Sequence, residues 1–207
     1  MKRYITFIML LCSFFTFGQT EQIIEQIKIK NEEIKTFSSK FTELQYKKTT
    51  KQDMELAGKM YFDAAGRLSM IYSDPEGDFV IIDKENFVTK RNGKKNHFKL
   101  DKPNSATELK ANLMNSMHGD IRAVAEANNA EIRYKEDKQY YCFTLTRKPG
   151  NKTKKHDVQR MELRYDKRTF ILVYMNIEDG MGTITTYALQ HPQVNANLPE
   201  SVFNTKR

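Results

Sequence analysis

The chain is 207 residues long, with 39% apolar and 29% charged residues, a formal net charge of +8, two cysteines and no tryptophan. That length and apolar content suit one sizeable hydrophobic core and exclude a disordered or disulfide-stapled chain. The basic residues are scattered along the chain rather than gathered in one block, so the charge reads as solubility and gives no reason to expect a nucleic-acid partner.

Lys2 and Arg3 precede an almost wholly apolar run over residues 5–17, closed by Gly18-Gln19. A positive start, a short apolar stretch and a small closing residue predict a cleavable signal peptide over residues 1–18, with 19–207 as a single exported domain. The apolar run is about a dozen residues, too short to span a hydrocarbon core of ~30 Å as a helix. Cys12 follows an apolar stretch, but Leu11 stands where a lipidated cysteine takes a small residue, so lipidation is not expected. Without the leader, Cys142 is the one remaining cysteine. It lies in the run Tyr140-Tyr141-Cys142-Phe143 and reads as a core thiol rather than a nucleophile.

From Thr20 to Phe37 the residues Ile23, Ile24, Ile27, Ile34 and Phe37 fall on one side, which predicts an amphipathic helix. From Phe41 the period changes to two. Met54, Leu56, Gly58, Met60 and Phe62 alternate with Glu55, Ala57, Lys59 and Tyr61, the pattern of a half-buried strand. Asp63-Ala64-Ala65-Gly66 turns the chain, and Leu68, Met70 and Tyr72 resume the alternation up to Asp74-Pro75-Glu76-Gly77. Residues 79–82 are continuously apolar and predict a central strand, with Phe87-Val88-Thr89 after the next turn. Arg91-Asn92-Gly93-Lys94 is a strong hairpin signal, because Asn-Gly supplies the positive φ angles of a tight turn. With Phe98 and Leu100, this makes an antiparallel meander of about six strands.

Helix interrupts the strands once. Ser105-Ala106-Thr107-Glu108 forms a capping box, and Leu109, Leu113, Met114 and Met117 make a stripe at helical spacing. The stripe suits ordinary core packing, or a lid over a cavity, where methionine adapts to varied apolar shapes. Gly119-Asp120 breaks the helix, and Ile121, Val124 and Ala125 predict a further short one. Strands return over Glu131–Lys135, Tyr140–Arg147, Val158–Tyr165, Phe170–Ile177 and Met181–Leu189, which brings the total to about eleven. Pro192 to Arg207 reads as irregular, with Leu198–Phe203 as a docking segment. Lys90-Arg91 with Lys94-Lys95, and Lys152-Thr153-Lys154-Lys155, fall at expected hairpin tips and read as solubilising.

The residues offer no chemistry. His97, His118, His156 and His191 lie in different elements at no metal-motif spacing, and Gly180-Met181-Gly182 joins strands rather than opening a helix over a phosphate. No catalytic residue, metal ligand or cofactor is expected. Met54, Met60, Met70, Met161 and Met175 occupy strand positions where valine or isoleucine is commoner, which suits a sheet facing an adaptable apolar ligand.

The order of parts resembles the LolA-type outer-membrane lipoprotein carriers. The matching pieces are the leader and the amphipathic helix, Phe37-Ser38-Ser39-Lys40-Phe41 leading to Gln45, and Gly58-Lys59-Met60-Tyr61-Phe62. Leu68-Ser69-Met70-Ile71-Tyr72-Ser73-Asp74-Pro75 and the closing Leu198-Pro199-Glu200-Ser201-Val202-Phe203 complete the set. The resemblance implies an α+β, mainly β fold: an incomplete antiparallel β-barrel whose concave apolar face is covered by helices. It implies a hydrophobic cavity for acyl chains. Met54, Leu56, Met60, Phe62, Leu68, Met70 and Tyr72 are then the wall, and Leu109, Leu113, Met114 and Met117 the lid. A family arginine that ties the lid shut maps near Ala64 or Ala65, with Arg67 the nearest arginine. The implied protein is a non-enzymatic, monomeric periplasmic carrier of acylated lipoproteins or another lipid. An inner-membrane releasing transporter would load it, and an outer-membrane acceptor would unload it. The other reading is a periplasmic sensing or assembly module that uses the same half-barrel to bind a protein or lipid signal. N-terminal sequencing of exported protein is expected to begin near Gln19; an intact Met1 or a lipid on Cys12 refutes the leader assignment.

Overall fold

The structure is a computed structural model that describes residues 18–102, 105–150 and 157–206. Residues 1–17 of the expected leader, with Cys12, the serine side chain of the expected capping box and the lysines of 152–155 lie outside the described residues. Helix α1 covers residues 18–32. Six strands follow: β1 (Thr36–Lys47), β2 (Gln52–Asp63), β3 (Arg67–Asp74), β4 (Glu76–Ile82), β5 (Asn86–Arg91) and β6 (Lys94–Lys99). Helices α2 (Ser105–Met117) and α3 (Ile121–Ala127) come next. Then come β7 (Ala130–Glu136), β8 (Tyr140–Arg147), β9 (Val158–Asp166), β10 (Leu172–Asp179) and β11 (Thr183–Val194), with a short 3-10 turn at Glu200–Phe203.

All eleven strands form one open antiparallel sheet in the order β6-β5-β4-β3-β2-β1-β11-β10-β9-β8-β7. It is two hairpin meanders joined side by side where β1 pairs with β11. The tight turn at Asn92 and Gly93 has φ of 50° and 76°, as the Asn-Gly pair predicts. The link from β6 to β7 runs from one outer edge of the sheet to the other. Helices α2 and α3 lie on that link, and their apolar residues join the concave-face core.

Alternation sets this core. Phe37 and Phe41 of β1, Leu56, Met60 and Phe62 of β2, and Leu68, Met70 and Tyr72 of β3 pack in one cluster with Ile24 and Ile27 of α1 and Leu113, Met114 and Met117 of α2. Phe79, Ile81 and Val88 form a small second cluster on the opposite face, which is why residues 79–82 are apolar at every position. Gly58 has a structural task. It stands opposite Phe41 on one side and Tyr72 on the other, and without a side chain between them their rings meet edge-to-face, 5.1 Å apart. A Cβ at Gly58 would lie 2.2 Å from the Ile71 carbonyl oxygen. The register shifts at this point, between Ala57 and Gly58, and such irregularities bend a sheet.

Two of the boundaries that differ from the sequence reading bear on the packing. The first helix stops at residue 32, and Ile34 and Phe37 are not on it. Their spacing fits a helix, but Thr36 onward pairs with β2 and Phe37 onward with β11, burying Phe37 to 2% exposure on the sheet. The last strand runs on to Val194 instead of ending at Leu189. A bulge absorbs His191, at φ 53°, and Pro192, whose missing N–H the ladder does not need there; the Ser39 hydroxyl donates to the Gln190 carbonyl beside it.

The helices are tied by polar contacts. Arg122 of α3 pairs with Glu21 and Glu25 of α1, and Lys28 pairs with Asp120, which also caps α3 by accepting from the Ala123 amide. At Gly119, φ 69°, an added Cβ would lie 2.8 Å from the Ile27 side chain, so α1 packs directly on this backbone. Gly58→Ala is expected to destabilise the protein by about 2 kcal/mol or more, because the clash is with backbone. Chemical denaturation checks this; an unchanged midpoint removes the close-approach argument.

Candidate functional site

A cavity of about 990 Å³ lies between the concave face and α2. That is the upper end of the usual ~300–1,000 Å³ range for ligand sites. Its walls differ in character. Met70, Val80, Phe87 and Phe98 of β3–β6, with Leu109 and Leu113 of α2, give an apolar side. Arg147, Val158, Ile177, Asp179, Thr183 and Thr185, from β8 to β11, give a mixed side with more polar groups. Asn112 of α2 and Asn128 lie between, joined by reciprocal amide bonds of 2.5 and 3.3 Å.

A charged pair, Glu43 and Arg91, sits on the concave face itself. Glu43 of β1 is 2% exposed. It accepts from the Tyr72 hydroxyl at 2.5 Å and from Nη2 of Arg91 at 3.2 Å. Arg91 also donates to the Tyr72 oxygen at 2.5 Å, and its guanidinium lies 3.9 Å from that ring's centre. Burial pushes the Tyr72 and Tyr187 hydroxyls well above their ordinary range, with the Glu43 charge adding to the rise, so both stay neutral. Burial pulls Arg91 down, but Tyr72 and Glu43 outweigh it and hold it charged. A second pair, Arg147–Asp157 at 3.0 Å, lines the other wall.

The model of the family described as outer membrane lipoprotein carrier protein LolA matches residues 32–206. The chain belongs to the LolA family. Among curated protein sequences none matches. Solved structures share the fold at low identity. An uncharacterised conserved protein from Thermus thermophilus is 10% identical with a TM-score of 0.53, over 91% of this chain and 93% of that one. MucB is 10% identical with a TM-score of 0.51, over 90% of this chain and 62% of that one. The Pseudomonas aeruginosa MucA/MucB complex is 10% identical with a TM-score of 0.48, over 88% and 59%.

In this member of the LolA family the expected wall and lid residues divide into three groups. Met70, Leu109 and Leu113 line the cavity. Leu56, Met60, Phe62, Leu68, Tyr72, Met114 and Met117 are in the close-packed core, each at most 7% exposed, and do not line it. Met54 is a correction: it is 43% exposed and outside the cavity, because β2 extends past the core beside Gln45 of β1. Sequence reasoning missed Val80, Phe87, Glu43, Arg91 and Arg147. The signal for Arg91 was present, since Phe87, Thr89 and Arg91 are alternate residues of one strand and share a face. Beside Lys90, Lys94 and Lys95, however, it reads as part of a solubilising hairpin tip. Cys142 is 3% exposed, and burial pushes its thiol up.

Arg67 does not reach the lid. It donates to Asp63 at 2.7 Å and to both Glu200 oxygens at 2.6 and 3.1 Å, and lies 4.3 Å from the Phe203 ring centre. It therefore fastens the C-terminal turn to the β2–β3 hairpin. Helix α2 is held by other groups: Lys110 donates to the Asp83 carbonyl at 2.7 Å, and Tyr165 to the Ser116 carbonyl at 2.9 Å. Arg67→Ala is expected to cost about 1 kcal/mol, because the Glu200 pair is exposed. It should speed carboxypeptidase trimming of the C-terminus and leave amide exchange in α2 unchanged; faster exchange in α2 would restore a lid-locking role to Arg67.

Proposed function

We propose that this LolA-family protein is a non-enzymatic periplasmic carrier, exported by the leader over residues 1–18, that shelters acyl chains in the cavity under α2. The single observation behind this is the 990 Å³ cavity with one apolar wall, in a chain whose family is described as lipoprotein carriers. The cargo is a lipoprotein's acyl chains or those of another lipid. Each methylene moved out of water contributes about 0.8 kcal/mol, so a dozen supply roughly 10 kcal/mol. That is ample for uptake from water, and it means release requires a competing site. An inner-membrane donor and an outer-membrane acceptor complete the cycle, with the carrier acting as a monomer.

A second reading, a module that binds a protein signal, draws on the sheet itself. Among the described residues the outer strands β6 and β7 each have one neighbour, and a partner strand can add to such an edge. Native mass spectrometry of protein taken from its cells separates the two: co-purifying lipid favours the carrier, and a bound polypeptide without lipid favours the module.

Substitution gives a sharper test. Leu109 is half-buried and lines the cavity, so Leu109→Glu is expected to leave the fold intact and lower uptake of a fluorescent acyl probe by about tenfold. Met60 is 1% exposed in solid core, so Met60→Glu is expected to cost several kcal/mol and unfold the protein. Normal probe uptake by Leu109→Glu would move the binding site elsewhere.

A further inference from the structure

Arg91 is an incompletely satisfied group of the cavity wall. Its Nη2 is taken by Glu43 and by the Tyr72 hydroxyl. Its Nη1 is shut off from solvent and finds no acceptor among the described residues. Arg147, contributed by the other half of the sheet, repeats the arrangement. Its Nη2 pairs with Asp157, while its Nε is buried without an acceptor among the described residues. Both arginines line the cavity. Buried guanidinium N–H groups without partners are costly, and an oxygen brought within their reach from the cavity would relieve that cost.

Charge decides which oxygen. Each guanidinium is already neutralised by one carboxylate, Glu43 or Asp157. The Tyr72 and Tyr187 hydroxyls beside Arg91 stay neutral and add no charge. An anionic head group brought against Arg91 would share a poorly solvated patch with the Glu43 carboxylate and be repelled by it. An uncharged carbonyl oxygen meets no such repulsion. The apolar wall of Met70, Val80, Phe87 and Phe98 then receives the chain attached to that carbonyl.

We propose that the cavity selects acyl chains carried as esters or amides over free fatty acids, with Arg91 as the specificity-determining residue. Its spare N–H donates to the acyl carbonyl, and Glu43 turns away a free carboxylate. This rests on the lipid-carrier reading above. Membrane glycerolipids and acylated polypeptides share the ester or amide carbonyl.

The test uses one fluorescent long-chain acyl probe in two forms, methyl ester and free acid, at about pH 8, where the acid is ionised. The wild type is expected to bind the ester about tenfold or more tightly than the acid. Glu43→Gln removes the repelling charge and should bring the two affinities together by strengthening the acid. Arg91→Lys keeps the charge balance but loses the fork of donors, and should weaken the ester about tenfold without helping the acid. Thermal melts report folding; if Glu43→Gln does not fold, the wild-type ratio and Arg91→Lys decide. Competition against the ester probe separates the sources: displacement by a diacylglycerol points to membrane lipid, displacement by a synthetic diacylated peptide to an acylated polypeptide, and either supports the proposal. Equal binding of ester and acid by the wild type, or a ratio unmoved in the variants, overturns it and leaves the carrier reading standing. Failure of the wild type to bind either form overturns both.

Discussion

The pairing of β1 with β11 is the constraint on which the rest of the molecule depends. It joins the first strand to the last and so places β6 and β7 at the two far edges of the sheet. The chain between those edges has to travel the width of the sheet, and it does so as α2 and α3. The helical cover of the concave face therefore follows from connectivity, because a crossover link between distant strands needs length and apolar residues to bury. The stripe of Leu113, Met114 and Met117 supplies them.

The concave face is filled unevenly. Toward α1, large side chains from β1, β2 and β3 meet Ile24, Ile27 and the end of α2, and the interior is solid. Toward the start of α2 the cover thins. Ala106 and Ala111 present little volume, and Leu109 is only half-buried. Packing there cannot close, and the cavity is what remains. Gly58 belongs to the solid part: it lets Phe41 and Tyr72 meet across β2, and Tyr72 then carries its hydroxyl to Glu43 at the cavity's edge.

Charges in this setting are costly. Removing Glu43 and Arg91 from water takes several kcal/mol per ion, and their attraction recovers that only with good geometry and further hydrogen bonds. Glu43 has both, through Tyr72 and Arg91, whereas Arg91 is left with a donor unused among the described residues. A well-packed apolar pair in their place would often be as stable or more so. Stability alone therefore gives a poor account of these residues, and a role toward a ligand gives a better one.

The sequence by itself determined the elements and their faces. Alternation along β2 and β3, the Asn92-Gly93 turn and the Leu/Met stripe of α2 are local patterns, and local backbone geometry reads them directly. The ordered short motifs were also enough to indicate the family. The tertiary structure decided where the cavity lies. Met54 and Met60 alternate on one strand, yet one is exposed and the other is in solid core, because depth along a strand depends on which neighbours extend as far. The helix-like spacing of Ile34 and Phe37 yielded to strand pairing with residues far away in sequence. Glu43, Arg91 and Arg147 come from three strands, and they share one cavity only because the sheet curls and the chain between its edges crosses the concave face. A one-dimensional pattern gives the side of a strand on which a residue lies; it cannot give how far the opposite wall stands from it.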